Sequence, residues 1–157
     1  MSTIFDASKY ILADFDYPIS TRKLQRLAYL SQGWALALVD EPIFPEDFEA
    51  WKHGPIAREL FDAHRGMYSI DEEKLAKGNA ENLSNRDRII IDAVLRNYGA
   101  LTGDQLSDLT HAKGAPWKEA RKRANTGPDD TCIEKVRKED MREYFKKILL
   151  KRNLDLG

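Results

Sequence analysis

Apolar side chains near the start of the chain recur at three- and four-residue spacing. Ile4, Ile11, Leu12 and Phe15 share one face with Ser8, which predicts a helix behind a Ser2/Thr3 start. Asp16-Tyr17-Pro18 ends it, because a proline disfavours a helical residue before it. A second helix is predicted from Ser20 or Thr21 to about Val39, with Leu24, Leu27, Ala28, Leu30, Trp34, Ala35 and Leu38 apolar. These positions cover more than one stripe, so this helix is expected at the centre, buried on two sides.

Two prolines, Pro42 and Pro45, exclude a helix interior in the next segment. Phe48 to Lys52 alternates at period two and predicts a short, half-buried strand. Gly54-Pro55 is expected to end that strand, with Pro55 in the first turn of a helix that carries Ile56, Leu60, Phe61 and His64. Residues 67–83 read as a surface loop with at most a turn of helix. Ser84 or Asn85 caps a further helix with Ile90, Ile91, Val94, Leu95 and Tyr98 inward and Gly99 at its end. Thr102 and Gln105 form a capping box for the next helix. Pro116 opens a short basic helix to about Arg123, residues 125–130 form a turn cluster, and Thr131-Cys132-Ile133 suggests a second brief strand. A last helix over 137–152 turns Met141, Tyr144, Phe145, Ile148 and Leu149 inward. The expected fold is mainly α: a single compact helical domain, residues 1–157, of about six or seven helices with a small β element near residues 48–52.

Composition agrees with a globular domain. Of 157 residues, 42% are hydrophobic and 32% charged, enough for a core and a solvated surface. Cys132 is the lone cysteine, cannot form a disulfide within the chain, and lies near Asp130 and Glu134, so a packing role is expected. No apolar run approaches the roughly 20 residues that span a bilayer, and the N-terminus shows no signal-peptide pattern. A cytoplasmic protein without membrane partners is the expectation. The formal charge of −1 exerts no global pull on nucleic acid, but it is unevenly spread. Residues 1–83 hold nine Lys/Arg against fourteen Asp/Glu, and residues 84–157 hold sixteen against twelve. Such polarity can orient a partner.

Catalytic chemistry finds little footing. His53, His64 and His111 have no ligand-spaced companion, so no metal site is expected. No nucleophile elbow or phosphate-cradling glycine loop occurs, so neither enzyme activity nor a cofactor is expected. Residues 104–123 have the order of a helix-turn-helix, with Lys118, Arg121, Lys122 and Arg123 available to phosphates. Asp104 and Asp108 on the recognition-like helix oppose that use, so a DNA-binding regulator is the alternative function. Trp34, Trp51 and Trp117 each lie beside a Gly or Pro and suit both core packing and a recognition groove.

Three blocks in order carry a resemblance. They are Lys23-Leu24-Gln25-Arg26-Leu27-Ala28-Tyr29 with Gln32-Gly33-Trp34; Glu41-Pro42-Ile43-Phe44 with Phe48 to Ile56; and Leu109-Thr110-His111 with Ala115 to Arg121. Together they resemble the Panacea-type antitoxin domains, a family with SocA-like and phage-associated GepA-like members, over about residues 5–150. His53 stands where that family usually has Tyr, Ala28 replaces a larger apolar residue, and Leu30 replaces a common second Tyr. The resemblance implies an antitoxin that neutralises a cognate toxin by direct contact, with delivery of the toxin to a protease as a variant of the same act. On this basis Trp51, His53, Gly54 and Pro55 are expected to shape a turn beside the second helix. His111, Pro116 and Trp117 are expected to form a second wall, and Tyr29, Gln32 and Trp34 to line the groove between. Core packing explains Trp34 equally well. Trp117→Ala is expected to weaken toxin capture while sparing stability.

Overall fold

Helix starts in this chain are fixed by side chains that satisfy otherwise orphaned N–H groups. Thr3 and Asp6 form a reciprocal capping box, the Ser20 hydroxyl accepts from Lys23 N–H, the Ser84 hydroxyl from Asp87 N–H, and Thr102 pairs reciprocally with Gln105. The computed structural model describes the backbone of residues 1–156 and the side chains of residues 1–152. In chain order the elements are α1 (Ile4–Ala13), β1 (Ile19–Ser20), α2 (Thr21–Val39), β2 (Glu49–Trp51), β3 (Gly54–Ile56), α3 (Arg58–His64), β4 (Ser69–Ile70), α4 (Asn85–Tyr98), α5 (Gly103–Thr110), α6 (Pro116–Arg123) and α7 (Lys138–Leu156). A short 3₁₀ turn, Ala80–Asn82, precedes α4. The fold is mainly α, with seven helices among the described residues and only two-stranded sheets. None of these helices is long and apolar enough to cross a membrane.

α2 is the spine. Every residue from Lys23 to Leu36 is buried, and α1, α4, α5 and α7 pack around it. One apolar core runs from Ile4 to Phe145. Gly33 lets α7 come close, since a Cβ there would run into the Phe145 ring. A helix enclosed on all sides would normally be apolar throughout, yet Gln25, Arg26 and Gln32 are at most 1% exposed. Each is satisfied by the backbone of another segment. Gln32 donates to Phe44 C=O at 2.7 Å and accepts from Ile43 N–H at 2.8 Å, fixing the double-proline loop. Such bonds supply the partners that irregular chain must find once it is buried.

The structure corrects three local expectations. Pro55 belongs to β3, paired antiparallel with β2 in the register Ala50↔Pro55 and Trp51↔Gly54, and α3 begins at Arg58. Thr131-Cys132-Ile133 is not a strand. The pairing lies further on, where Glu134 C=O accepts from Ala50 N–H and Val136 N–H donates to Phe48 C=O, both at 2.8 Å. Residues 67–83 are not simply a surface loop: β4 pairs with β1, and Ile70 and Leu75 are fully buried.

Candidate partner-binding groove

The start of α2, the β2–β3 hairpin, α3 and residues 131–133 enclose a groove of about 420 Å³. Its walls are mostly apolar, with Trp51, Ile56 and Phe61 facing Cys132 and Ile133 across the opening. Trp51 and Phe61 meet edge to face at 4.9 Å, and the Arg58 guanidinium covers the Trp51 ring at 5.3 Å. Glu49 ties this wall together by accepting from Trp51 Nε1 at 2.7 Å and Arg58 Nη2 at 2.9 Å. Cys132 is buried, as a packing residue would be.

Arg26 forms the groove's inner wall and determines the hairpin's shape. Its Nη1 donates to Pro55 C=O at 2.6 Å, its Nη2 to His53 C=O at 2.8 Å, and its Nε to Ser107 Oγ at 3.1 Å. No carboxylate among the described residues pairs with it. Burial, reinforced by the neighbouring Arg22 charge, pulls its pKa down to about 9, which leaves it charged at neutral pH. Gly54 is required beside it. The φ of +136° suits only glycine, and a Cβ there would run into the guanidinium. Gln25, the preceding residue, acts on the next segment. It accepts from Ala57 N–H at 2.9 Å, donates to Ala57 C=O at 3.2 Å, and bonds His64 Nε2 at 3.1 Å. It thereby holds both backbone groups of Ala57, the N-cap residue of α3, whose start has no side-chain capping bond. Burial lowers the His64 pKa, so the ring is neutral and its Nε2 accepts from the Gln25 amide.

Trp51, His53 and Gly54 line the groove, and Pro55 is buried. The second wall does meet this turn, since Trp117 Nε1 donates to Trp51 C=O at 2.7 Å and His111 packs on the Trp117 ring at 4.2 Å. It meets it from behind. Trp117 is only 8% exposed and braces the hairpin from the core side, while Pro116 is buried at the start of α6. The expectation that Trp117→Ala spares stability does not suit that position. Tyr29, Gln32 and Trp34 lie further along α2, outside the groove: Tyr29 packs between Phe48 and Phe145, and Trp34 against Tyr98. The cationic run at α6 is partly consumed. Arg121 is buried and bonds Ala50, Gly127 and Asp130 carbonyls, and Arg123 reaches Glu134, Asp140 and Lys135 C=O. Lys118 and Lys122 remain exposed.

Gln25 and Arg26 were within the first sequence block but were not singled out. The available signal was a long polar residue set inside the wide apolar belt of α2.

The model of the family described as antitoxin SocA-like, Panacea domain, matches residues 24–118. That stretch contains most of α2, the hairpin, α3 and the Pro116 start of α6, and is narrower than the 5–150 expected from the motif blocks. Antitoxin SocA of Caulobacter vibrioides (strain NA1000 / CB15N) is 34% identical over 115 residues, which cover 67% of this chain. The chain spans 61% of that relative's length. No solved structure matches. With well over half of its length inside the family match, the chain belongs to the antitoxin SocA-like family defined by the Panacea domain.

Proposed function

We propose that this chain is an antitoxin that neutralises a cognate toxin by direct protein–protein contact in the cytoplasm, as a binding protein and not an enzyme. The observation that carries the reading is the preformed apolar groove between the hairpin and α3, held open by Arg26 and Gln25. Its surroundings suit a protein partner. Ile133 on the lining is 68% exposed, and Tyr68, 88% exposed, lines with Tyr17 and Met67 an adjoining hollow that shares Thr21 and Arg22 with the groove. Tyr68 joins the groove through Thr21, whose N–H donates to the Tyr68 carbonyl. Exposed aromatics around a concave apolar surface are typical of a binding hot spot and its rim. The family relationship supports the same reading.

The test is co-expression with the neighbouring reading frame. That gene is expected to arrest growth alone and to be harmless beside this chain. Arrest that persists although both proteins are soluble would refute the antitoxin role. Toxin abundance separates two modes: blocking leaves the toxin intact, whereas delivery to a protease depletes it unless the host lacks that protease.

A further inference from the structure

The groove's charge is one-sided. Arg22, Arg26, Lys52 and Arg58 contribute to its lining, and no Asp or Glu among the described residues does. Arg22 and Arg58 hold carboxylates that lie outside the lining, Asp104 at 2.7 Å and Glu49 at 2.9 Å. Arg26 and Lys52 pair with none among the described residues. A fixed positive charge behind an apolar wall projects its field into the cleft, because little water is there to screen it.

From this complementarity we infer that the groove takes an acidic segment of the protein partner: one Asp or Glu side chain flanked by aromatic or branched aliphatic residues. The inference names the partner chemistry of the groove and rests on the binding function proposed above. The carboxylate sits between Lys52 and the Arg26 side of the cleft, and the flanking residues pack on Trp51, Phe61 and Ile133. Asp104 and Glu49 at the margins repel a polyanion, which favours a single carboxylate over a nucleic-acid backbone. An apolar lining likewise suits a peptide better than a phosphate, which needs several unused donors. Arg26 has already committed three N–H groups to the protein.

The test selects random dodecapeptides displayed on phage against the full folded chain. Asp or Glu next to an aromatic or branched residue is expected to be enriched. A synthetic peptide of that sequence is expected to move the Trp51 indole N–H resonance and leave that of Trp34 in place. Lys52→Glu, at an exposed turn position, is expected to weaken binding about tenfold, the equivalent of about 1.4 kcal/mol. Lys122→Glu, an equal charge change outside the groove, is expected to leave binding within about twofold. Enrichment of neutral or basic sequences, no enrichment, an unmoved Trp51, or tighter binding of a twelve-nucleotide DNA strand than of the peptide would each overturn the inference. The assay needs no toxin. Peptide binding without neutralisation would remove only the antitoxin reading, and neutralisation without preference for acidic peptides would remove only this one.

Discussion

Arg26 and Arg121 are both buried guanidiniums held by uncharged acceptors, yet they secure different kinds of structure. Arg121 bonds Gly127 and Asp130 carbonyls, six and nine residues away, plus the Ala50 carbonyl, and lies over the Trp117 ring at 5.2 Å. Two of its three acceptors belong to one nearby turn. The acceptors of Arg26 lie 27, 29 and 81 residues away, on the hairpin and on α5. Arg121 therefore closes a local loop and pins it to β2 by one bond to Ala50, 71 residues away, whereas every acceptor of Arg26 lies on a segment that chain connectivity leaves far off. The planar fork of arginine suits both tasks because it can hold several carbonyls in fixed directions. Neither residue has the carboxylate that a buried charge usually acquires. Arg26 alone borders the groove.

The difference predicts the largest effect for Arg26→Met. The substitution strands the Pro55 and His53 carbonyls and Ser107 Oγ, each costing about 1–3 kcal/mol if left unpaired, while relief of the desolvated charge offsets part of the loss. A net destabilisation on the order of 3–5 kcal/mol is expected, read as a lower urea midpoint at unchanged slope. Arg121→Met is expected to cost less, about 2–3 kcal/mol, because two of its acceptors lie in the 126–131 turn, which can open to water, and only the buried Ala50 carbonyl is stranded. Hydrogen exchange distinguishes the two: faster exchange confined to that turn for Arg121→Met, and across the hairpin and α3 for Arg26→Met. Equal costs, or the reverse order, would show that sequence distance between acceptors does not set the penalty.

The same contrast separates what is legible in the sequence from what is not. The helices announce themselves through periodicity and caps, so Thr102 with Gln105 and Pro116 follow from local chemistry alone, while the open choice between Ser20 and Thr21 narrows to Ser20 only in the structure. Pairings between distant short segments leave no periodic trace. The β1–β4 ladder is two residues long, and the second partner of β2 is an isolated bridge at residue 135, where no alternation marks it. The hairpin turn was legible because Gly54-Pro55 is strong punctuation, although its proline suggested a helix start and lies in a strand. The inward direction of Arg26 was not legible, since helical spacing cannot tell a snorkelling arginine from one caged by carbonyls. Trp117 misled for a related reason: its indole has an internal acceptor, the Trp51 carbonyl, which only the tertiary fold supplies.

The smallest predicted effect is a pH response on the Arg26 side alone. His64 accepts from Gln25 through its neutral ring, and burial holds its pKa below the usual 6.5. His111 shifts in the same direction, first through burial and then through the nearby Arg26 charge. When the folded pKa is the lower one, the unfolded chain takes up the proton first. The stabilisation is therefore complete above pH 6.5 and is lost as the pH falls through the folded values. Asp6 and Asp47 do not confuse that window. Burial opposes ionisation of both, but backbone N–H donors at Asp6 and the Lys138 and Lys135 ammoniums at Asp47 outweigh it, so their losses begin where the unfolded carboxylates protonate, around the ordinary 3.8, and continue below it. Between pH 7 and pH 5 the urea midpoint is expected to fall by less than Arg121→Met lowers it, and His64→Gln is expected to flatten part of that fall. Corrected for the slower intrinsic exchange at the lower pH, hydrogen-exchange protection is expected to drop around residues 53–64 and to stay unchanged in the 126–131 turn. An equal drop in both regions would mean that the two arginine clamps belong to one cooperative unit, and the distinction between them would disappear.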